Sequence, residues 1–483
     1  MNPIASKIFG LFGAGIALHL ASPSLCAAAE KPTPPNIIVV LADDLGYGDL
    51  GCYGQQEIRT PNLDRMAKDG MRFTNAYSGS TVCAPSRCVL MTGRHTGQAT
   101  VRGNVQPGMS PACQSLSQSD VTIARVLKQA GYVTANIGKW GLGEPGAAAE
   151  GMPLKQGFDY FYGYLNQHHA HNSWPSFLWR NECKVPTRNV VPNEDERGAG
   201  VASKRVDFAQ DLFIADAQRF IRENRSSPFF LYLALTAPHA NNEAEPMGIE
   251  VPDTADYADK PWPEVQRSFA SLVSRLDKDV GKILATLREL SLEKNTLVLF
   301  LSDNGPHAEG GANPAFFKSS GPLKGHKRSM YEGGIRVPMI AWGPGMIPAG
   351  RTEDTPCFFG DFLPSFADLA NAPAPKGING VSLRPLLSGR PQPELHERPL
   401  FWDYYENGYM QAARKGPWKA VRPSLEAPLE LYYLPEDQGE IRDRAKDQPA
   451  LVAEFEAFLI KERTHSPYWP VVRDRYTEKL FSK

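Results

Sequence analysis

Residues 36–44 read NIIVVLADD, seven residues without a charge followed by two consecutive aspartates. Such a run predicts a strand over Asn36–Ala42 that is buried on both faces, as in a parallel sheet covered by helices. Working outward, a short helix is expected at 62–69, near Pro61 and stopped by Gly70. Asp120 is the expected cap of a helix that places Ile123, Val126, Leu127 and Ala130 on one face, with Gly131 as its stop and a strand at 132–137. Further on, a helix at 207–223 precedes an apolar strand at 229–235. Val265, Phe269, Leu272, Leu276, Val280, Ile283 and Leu287 keep helical spacing before a strand at 296–301, and another strand is expected at 336–342. Helices alternating with buried strands imply an α/β fold with a large, mostly parallel central sheet.

The texture changes near residue 371. Pro- and Gly-rich stretches lead into short aromatic strands at 400–405 and 429–434 and a last helix at 450–462. This is the expected smaller C-terminal α+β lobe (371–483) with an antiparallel sheet, following a main domain over 33–370.

The N-terminus has the pattern of a secretory signal over 1–29: Lys7, an apolar stretch at 8–20, then Ala27, Ala28 and Ala29. The apolar stretch is short for a bilayer span, so export to the periplasm or the medium is expected, without stable membrane insertion. The segment 30–35 is an extended leader. Once Cys26 is removed with the signal, six cysteines remain and no CxxC pair occurs, which argues against a thiolate zinc site. Disulfides are permitted in that compartment, but their pairing is not readable. Across 483 residues the formal net charge is −1, so no broad basic field exists to attract nucleic acid. An anionic substrate must be caught by a few placed side chains.

Polar residues stand just beyond four predicted strands: Asp43–Asp44, Lys139, His239 and Asp303–Asn304. In open α/β sheets the ligand crevice lies outside the carboxyl ends of the strands, so these groups are expected to converge. Three carboxylates and a carboxamide together call for a hard cation, and an all-oxygen set suits Ca²⁺ or Mg²⁺ better than Zn²⁺. The segment STVCAPSRCVLMTGRHTG places Pro85 in the first turn of a helix and Cys83 at its start, where free N–H groups favour an anion. Arg87, one turn on, is expected to point back to the same place.

With CAPSRCVLMTG, LADDLGYGDLGCYG, IGKWGLG, TAPH, LSDNG and GPLKGHKRSMYEGGIRVP, the chain resembles the sulfatase family of the alkaline phosphatase superfamily. The resemblance implies that superfamily's sandwich of sheet and helices. It also implies oxidation of Cys83 to Cα-formylglycine by a separate maturation enzyme. Asp43, Asp44, Asp303 and Asn304 correspond to its Ca²⁺ ligands, together with an oxygen of the modified Cys83. Arg87 corresponds to the residue that steadies the formylglycine, and Lys139, His239 and Lys327 to those that hold the sulfate group. In the implied hydrolysis Asp303 is the general base and His239 protonates the leaving alcohol, with Lys327 as rival. Lys324 matches a neighbouring basic position. The chain departs from the family at Gly141, where a histidine is usual, and His168, His169 and His171 are the expected substitutes. A sulfated small molecule or glycan is the implied substrate, a galactose or N-acetylgalactosamine sulfate by analogy. Trp174, Trp402, Tyr404 and Tyr405 are either ordinary packing or a sugar platform. A phosphate or phosphonate ester hydrolase of the same superfamily, and a non-catalytic glycan-binding relative, are the competing readings.

Overall fold

All seven residues of Asn36–Ala42 are buried because the strand has a neighbour on each side and a helical layer over each face. The protein's structure is a computed structural model that describes residues 10–11, 34–106, 108–406 and 408–471. Apart from Gly10 and Leu11, the signal segment 1–29 lies outside the described residues, as do Cys26 and the leader up to residue 33.

The main sheet has ten strands, in the order Arg351–Glu353, Met71–Phe73, Met339–Trp342, Thr296–Ser302, Asn36–Ala42, Phe229–Ala234, Val133–Lys139, Tyr160–Tyr164, Phe177–Arg180 and Cys183–Pro186. The four strands from Thr296–Ser302 to Val133–Lys139 are adjacent and mutually parallel. Their carboxyl ends therefore lie along one edge. Antiparallel pairing is confined to Met339–Trp342 and the Phe177–Pro186 hairpin side. The strand expected at 336–342 is thus shorter than its apolar run, because Glu332–Ile335 forms a helical turn and Arg336 leaves it in extended geometry.

Alternation along the central strand divides the core. Ile37, Val39 and Leu41 face a cluster that includes Val89, Leu90, Leu127 and Phe366, from helices Cys83–Thr92, Ile123–Gln129 and Phe362–Leu369. Ile38, Val40 and Ala42 face Leu63, Phe213 and Phe269, from helices Pro61–Lys68, Ala209–Glu223 and Glu264–Glu289. Asp120 does not cap the Ile123–Gln129 helix. Thr122 does, its hydroxyl accepting from Arg125 N at 3.2 Å, while Asp120 accepts from Ser117 N and Thr100 Oγ1 in the preceding turn.

The C-terminal sheet has four antiparallel strands, Leu400–Tyr404, Met410–Lys415, Trp418–Arg422 and Glu430–Tyr433. One face joins the main core through Trp402 and Val421, and the other packs on the last helix, Pro449–Lys461, through Phe455 and Leu459. Trp402 is fully buried and its Nε1 donates to Ser78 O at 2.9 Å, Tyr404 is fully buried and Trp174 nearly so. These three rings are packing and not a sugar platform. Tyr405 also faces inward, against Trp469. The six described cysteines are all free thiols.

A buried ion cluster joins this sheet to the main domain. Lys419 Nζ lies 2.9 Å from both Glu332 Oε1 and Glu440 Oε1, with all three side chains at zero exposure. Burial pushes the Glu440 carboxyl up to about 7. Burial also opposes the Glu332 charge, but Lys419 and Arg336 outweigh it and hold that carboxyl at about 2. Replacing Lys419 with methionine strands the Glu440 carboxyl in the interior, leaves Glu332 to Arg336, and should cost about 3–5 kcal/mol. A carboxyl whose folded pKa is raised loses stability as pH rises from its unfolded value, so the Lys419→Met deficit should be larger near pH ~8 than near pH ~5. Urea unfolding at both pH values measures this, and equal deficits would contradict the account.

Candidate active site

The sheet topology delivers the polar residues named from the sequence to one place. Asp43 and Asp44 follow the central strand, Asp303 and Asn304 its neighbour on one side, His239 its neighbour on the other, and Lys139 ends the next strand. Consecutive strand residues point to opposite faces, yet both aspartates face the same cluster. Asp44 leaves the strand with φ 65°, in the left-handed region that Asp tolerates better than most residues, and this turn brings its carboxylate round beside that of Asp43. Its own N–H donates to Asp303 Oδ1 at 3.1 Å, and its Oδ1 accepts from Asn304 Nδ2 at 2.6 Å.

Cys83 is the first residue of the Cys83–Thr92 helix. Ligand atoms of Cys83, Asp43, Asp44 and His239 lie within 4.8 Å of one another. The helix is fixed against the strand ends by two side chains of its first turns. Ser86 Oγ donates to Asp303 O at 2.5 Å. Arg87 forks onto Asp303 Oδ2 through Nε at 3.1 Å and Nη2 at 2.8 Å, while its Nη1 donates to Lys139 O at 2.8 Å. The same Nη2 stands 3.2 Å from Asp43 Oδ1. Arg87 is wholly buried, so it acts here as the fixed cation of a desolvated cluster.

Two lysines complete the charge balance. Lys139 Nζ pairs with Asp43 Oδ2 at 2.6 Å, and Lys327 Nζ bridges Asp44 Oδ2 and Glu309 Oε2, both at 2.8 Å. Arg328 holds the other Glu309 oxygen. Burial opposes the charge on Asp43, but Lys139 and Arg87 outweigh it and hold the carboxyl well below the usual range. Asp303 goes the other way: burial, with the negative charges of Asp43 and Asp44, pushes it up to about 7. Burial pushes the Cys83 thiol well up, so the unmodified side chain is a poor thiolate. Burial and the charge of Lys327 push His239 down to about 3. His239 Nδ1 donates to Ala240 O at 2.7 Å, which leaves Nε2 to accept from Lys327 Nζ at 3.4 Å.

The donor set fits a hard divalent cation. Asn304 Oδ1 is buried and receives no hydrogen bond among the described residues, Asp43 Oδ1 meets only the ion-pair contact of Arg87 Nη2, and the surrounding donors from Asp43, Asp44, Asp303 and Asn304 are all oxygens. The sulfur of Cys83 and a ring nitrogen of His239 are the non-oxygen donors close to that set as the chain is encoded. An oxygen in place of the sulfur would complete the set.

A cleft of about 140 Å³ opens onto Cys83, with Lys327, His239, His168 and His171 in its walls. His171 stacks on His239 with ring centroids 5.3 Å apart and reaches Glu243 at 3.1 Å. Of His168, His169, His171 and Lys324, two do not reach the cleft, and Lys139, expected to hold the sulfate, is not in its lining either. His169 is buried between Tyr164 and Phe177, and Lys324 lies 3.7 Å over the Tyr331 ring with its Nζ donating to Glu440 O at 3.2 Å. The short helical turn His169–His171 separates the three histidines, because residues one apart in it cannot share a face. Sequence reasoning missed Asn104, Gln106, Gln114, Gln167, Asn242, Arg328 and Glu406, which also line the cleft. Gln114 and Asn242 sit in single 3-10 turns and the others in irregular segments, where no periodicity marks them. Glu309 was missed as well, although it shares Lys327 with Asp44.

The sulfatase family model matches residues 35–372, and the C-terminal model of N-sulphoglucosamine sulphohydrolase matches 325–461.

This chain belongs to the sulfatase family.

N-acetylgalactosamine-6-sulfatase of Canis lupus familiaris is 33% identical over 434 residues, covering 87% of this sulfatase and 77% of the relative. Arylsulfatase A of Homo sapiens is 34% identical over 426 residues, covering 82% and 76%. Among solved structures, Ps i-CgsB in complex with k-i-k-neocarrahexaose superposes with a TM-score of 0.75 at 27% identity, covering 93% of this chain and 97% of the other. A Bacteroides thetaiotaomicron sulfatase of glycosaminoglycan metabolism gives 0.71 at 26%, covering 89% and 99%. The protein is accordingly a sulfuric ester hydrolase. The phosphonate monoester hydrolase of Agrobacterium radiobacter, at 17% identity and a TM-score of 0.61, shares the fold alone.

The fork of Arg87 is the structural hinge of this site. Arg87→Met should strand Asp303 and half-strand Asp43, costing about 3–5 kcal/mol in urea unfolding. Arg87→Lys should recover only part of the loss, because an ammonium cannot make the paired contacts. Full recovery by lysine would show that charge alone suffices.

Proposed function

We propose that this sulfatase removes sulfate from a terminal galactose or N-acetylgalactosamine unit of a sulfated carbohydrate, outside the cytoplasm, with Ca²⁺ and an oxidised Cys83. The observation that carries the reading is the meeting of Cys83, Lys327 and His239 on one small polar cleft, with Lys327 paired to Asp44 and Lys139 to Asp43 in the buried oxygen-rich cluster beside it. The relatives named for N-acetylgalactosamine-6-sulfate and the neighbour bound to a carrageenan oligosaccharide support the carbohydrate. Export rests on the sequence of 1–29, and the formylglycine requires a separate maturation enzyme. No helix among the described residues is long and apolar enough to cross a membrane.

Asp43, Asp44, Asp303 and Asn304 would hold the cation, with an oxygen on residue 83 completing the set. When bound, the cation supplies Lewis acidity, and formylglycine at position 83 supplies a hydrated aldehyde as nucleophile. The chain's own residues do the rest. Lys139 and Lys327 stand ready to neutralise the sulfuryl oxygens, and the N-terminus of Cys83–Thr92 adds its field. Asp303, raised toward neutrality, is the proton acceptor beside residue 83. Lys327 and His239 share one hydrogen bond at the leaving-group side. Because Lys327 is the donor of that bond, the proton for the departing alcohol starts on Lys327, and His239 positions it. This reverses the order expected from the sequence, in which His239 was the first choice.

Cys83→Ala should abolish hydrolysis of an aryl sulfate while circular dichroism and melting temperature stay near wild type. Retained turnover would remove Cys83 from the reaction. Chelation should lower the melting temperature and the rate, and Ca²⁺ or Mg²⁺ should restore both better than Zn²⁺. Sulfate release from 6-sulfated galactose and N-acetylgalactosamine, compared with sulfated glucosamine, tests the sugar. Preference for glucosamine would overturn that part of the reading.

A further inference from the structure

The position where the family usually carries a histidine is glycine here, and its surroundings show what takes up the space. Gly141 has φ 78°, in the left-handed region, and a Cβ built on it would fall 2.3 Å from Gln167 Nε2. The Gln167 carboxamide thus occupies the volume that a side chain at 141 would need. The two segments are tied together: Gly141 N donates to Leu165 O at 3.1 Å, and Gly141 O accepts from Gln114 Nε2 at 2.9 Å.

Gln167 is 7% exposed, yet among the described residues neither its Nε2 nor its Oε1 has a hydrogen-bond partner. A buried amide left unpaired costs about 1–3 kcal/mol, and native proteins hold few such groups without a reason. The reason is nearby. Gln167 lines the same cleft as Cys83, His239 and Lys327. With no partner on either amide atom, nothing in the protein fixes which end faces the cleft, and an anionic oxygen there selects the NH₂ end.

We propose that Gln167 contacts the substrate, donating a hydrogen bond from its carboxamide to an oxygen of the bound sulfate group. This rests on the sulfate-ester hydrolysis described above and adds to it a neutral donor whose strength does not vary with pH. Of the cleft's other donors, Lys327, Arg328, His239, His168 and His171 are ionisable, while Asn104, Gln106, Gln114 and Asn242 are carboxamides like Gln167. Gly141 is then the complementary half of the device, since any side chain there would displace the amide.

The test uses Gln167→Met, which keeps the length without polar atoms, and Gln167→Glu, which keeps the shape but replaces the NH₂ donor with an acceptor. Two readouts are taken for each: the rise in melting temperature on adding inorganic sulfate, against chloride at equal ionic strength, and kcat/KM on an aryl sulfate. Gln167→Met should melt at or above the wild-type temperature, because it removes two unpaired polar atoms. Both variants should lose most of the sulfate-induced shift, and kcat/KM should fall about tenfold to a hundredfold, the worth of one charge-assisted hydrogen bond. A folded variant that keeps the wild-type shift and kcat/KM overturns the assignment, and Gln167→Glu decides it if Gln167→Met does not fold. A wild type inactive on every sulfate ester would count against the hydrolase activity instead, while the sulfate shift would still decide the role of Gln167.

Discussion

The structure depends on one arrangement of charge: a buried arginine forked between carboxylates at the carboxyl ends of adjacent parallel strands. Arg87 links the Cys83–Thr92 helix to Asp303, to Asp43 and to the backbone of Lys139, and so ties three strands to the helix that begins at Cys83. Removing any one member leaves its partner charged and desolvated, which is far costlier than losing a surface pair. The cluster therefore requires the sheet order, and the sheet order in turn brings the cluster together.

That economy of charge explains how a chain of net charge −1 handles an anionic substrate. Two lysines are each neutralised by a carboxylate at rest, Lys327 in the wall of the cleft and Lys139 buried in the cluster beside it. A cation held among those carboxylates would compete with the lysines for them and would leave each lysine more available to a sulfate oxygen. Field strength at the site comes from burial and not from the surface, where charges are screened.

Much of this was legible in local sequence. Apolar runs such as 36–42 and 296–301 can only be central strands, and the polar residues that follow them lie at strand ends in any open α/β sheet. The helix at Cys83 followed from Pro85 and the residues after it. Other signals misled. Asp120 and Thr122 are both good caps, and only the accepted bond from Arg125 distinguishes them. Lys324 and Lys327 sit in one basic segment, but the turn at 325–328 sends Lys324 to the C-terminal sheet and Lys327 to the site. Tryptophan and tyrosine at 402 and 404 carry no mark that separates a sugar platform from a core layer.

By itself the sequence determined the parallel α/β core, the strand-end carboxylates, the helix start at Cys83 and the absence of a side chain at position 141. These are local properties: strand burial, capping and residue identity are set within a few neighbours along the chain. Only the tertiary structure decided which of three histidines face the cleft, which lysine meets Asp44, and that Gln167 fills the space above Gly141. Those facts depend on the relative placement of irregular segments, and no periodicity records where a loop side chain will point once the sheet has assembled around it.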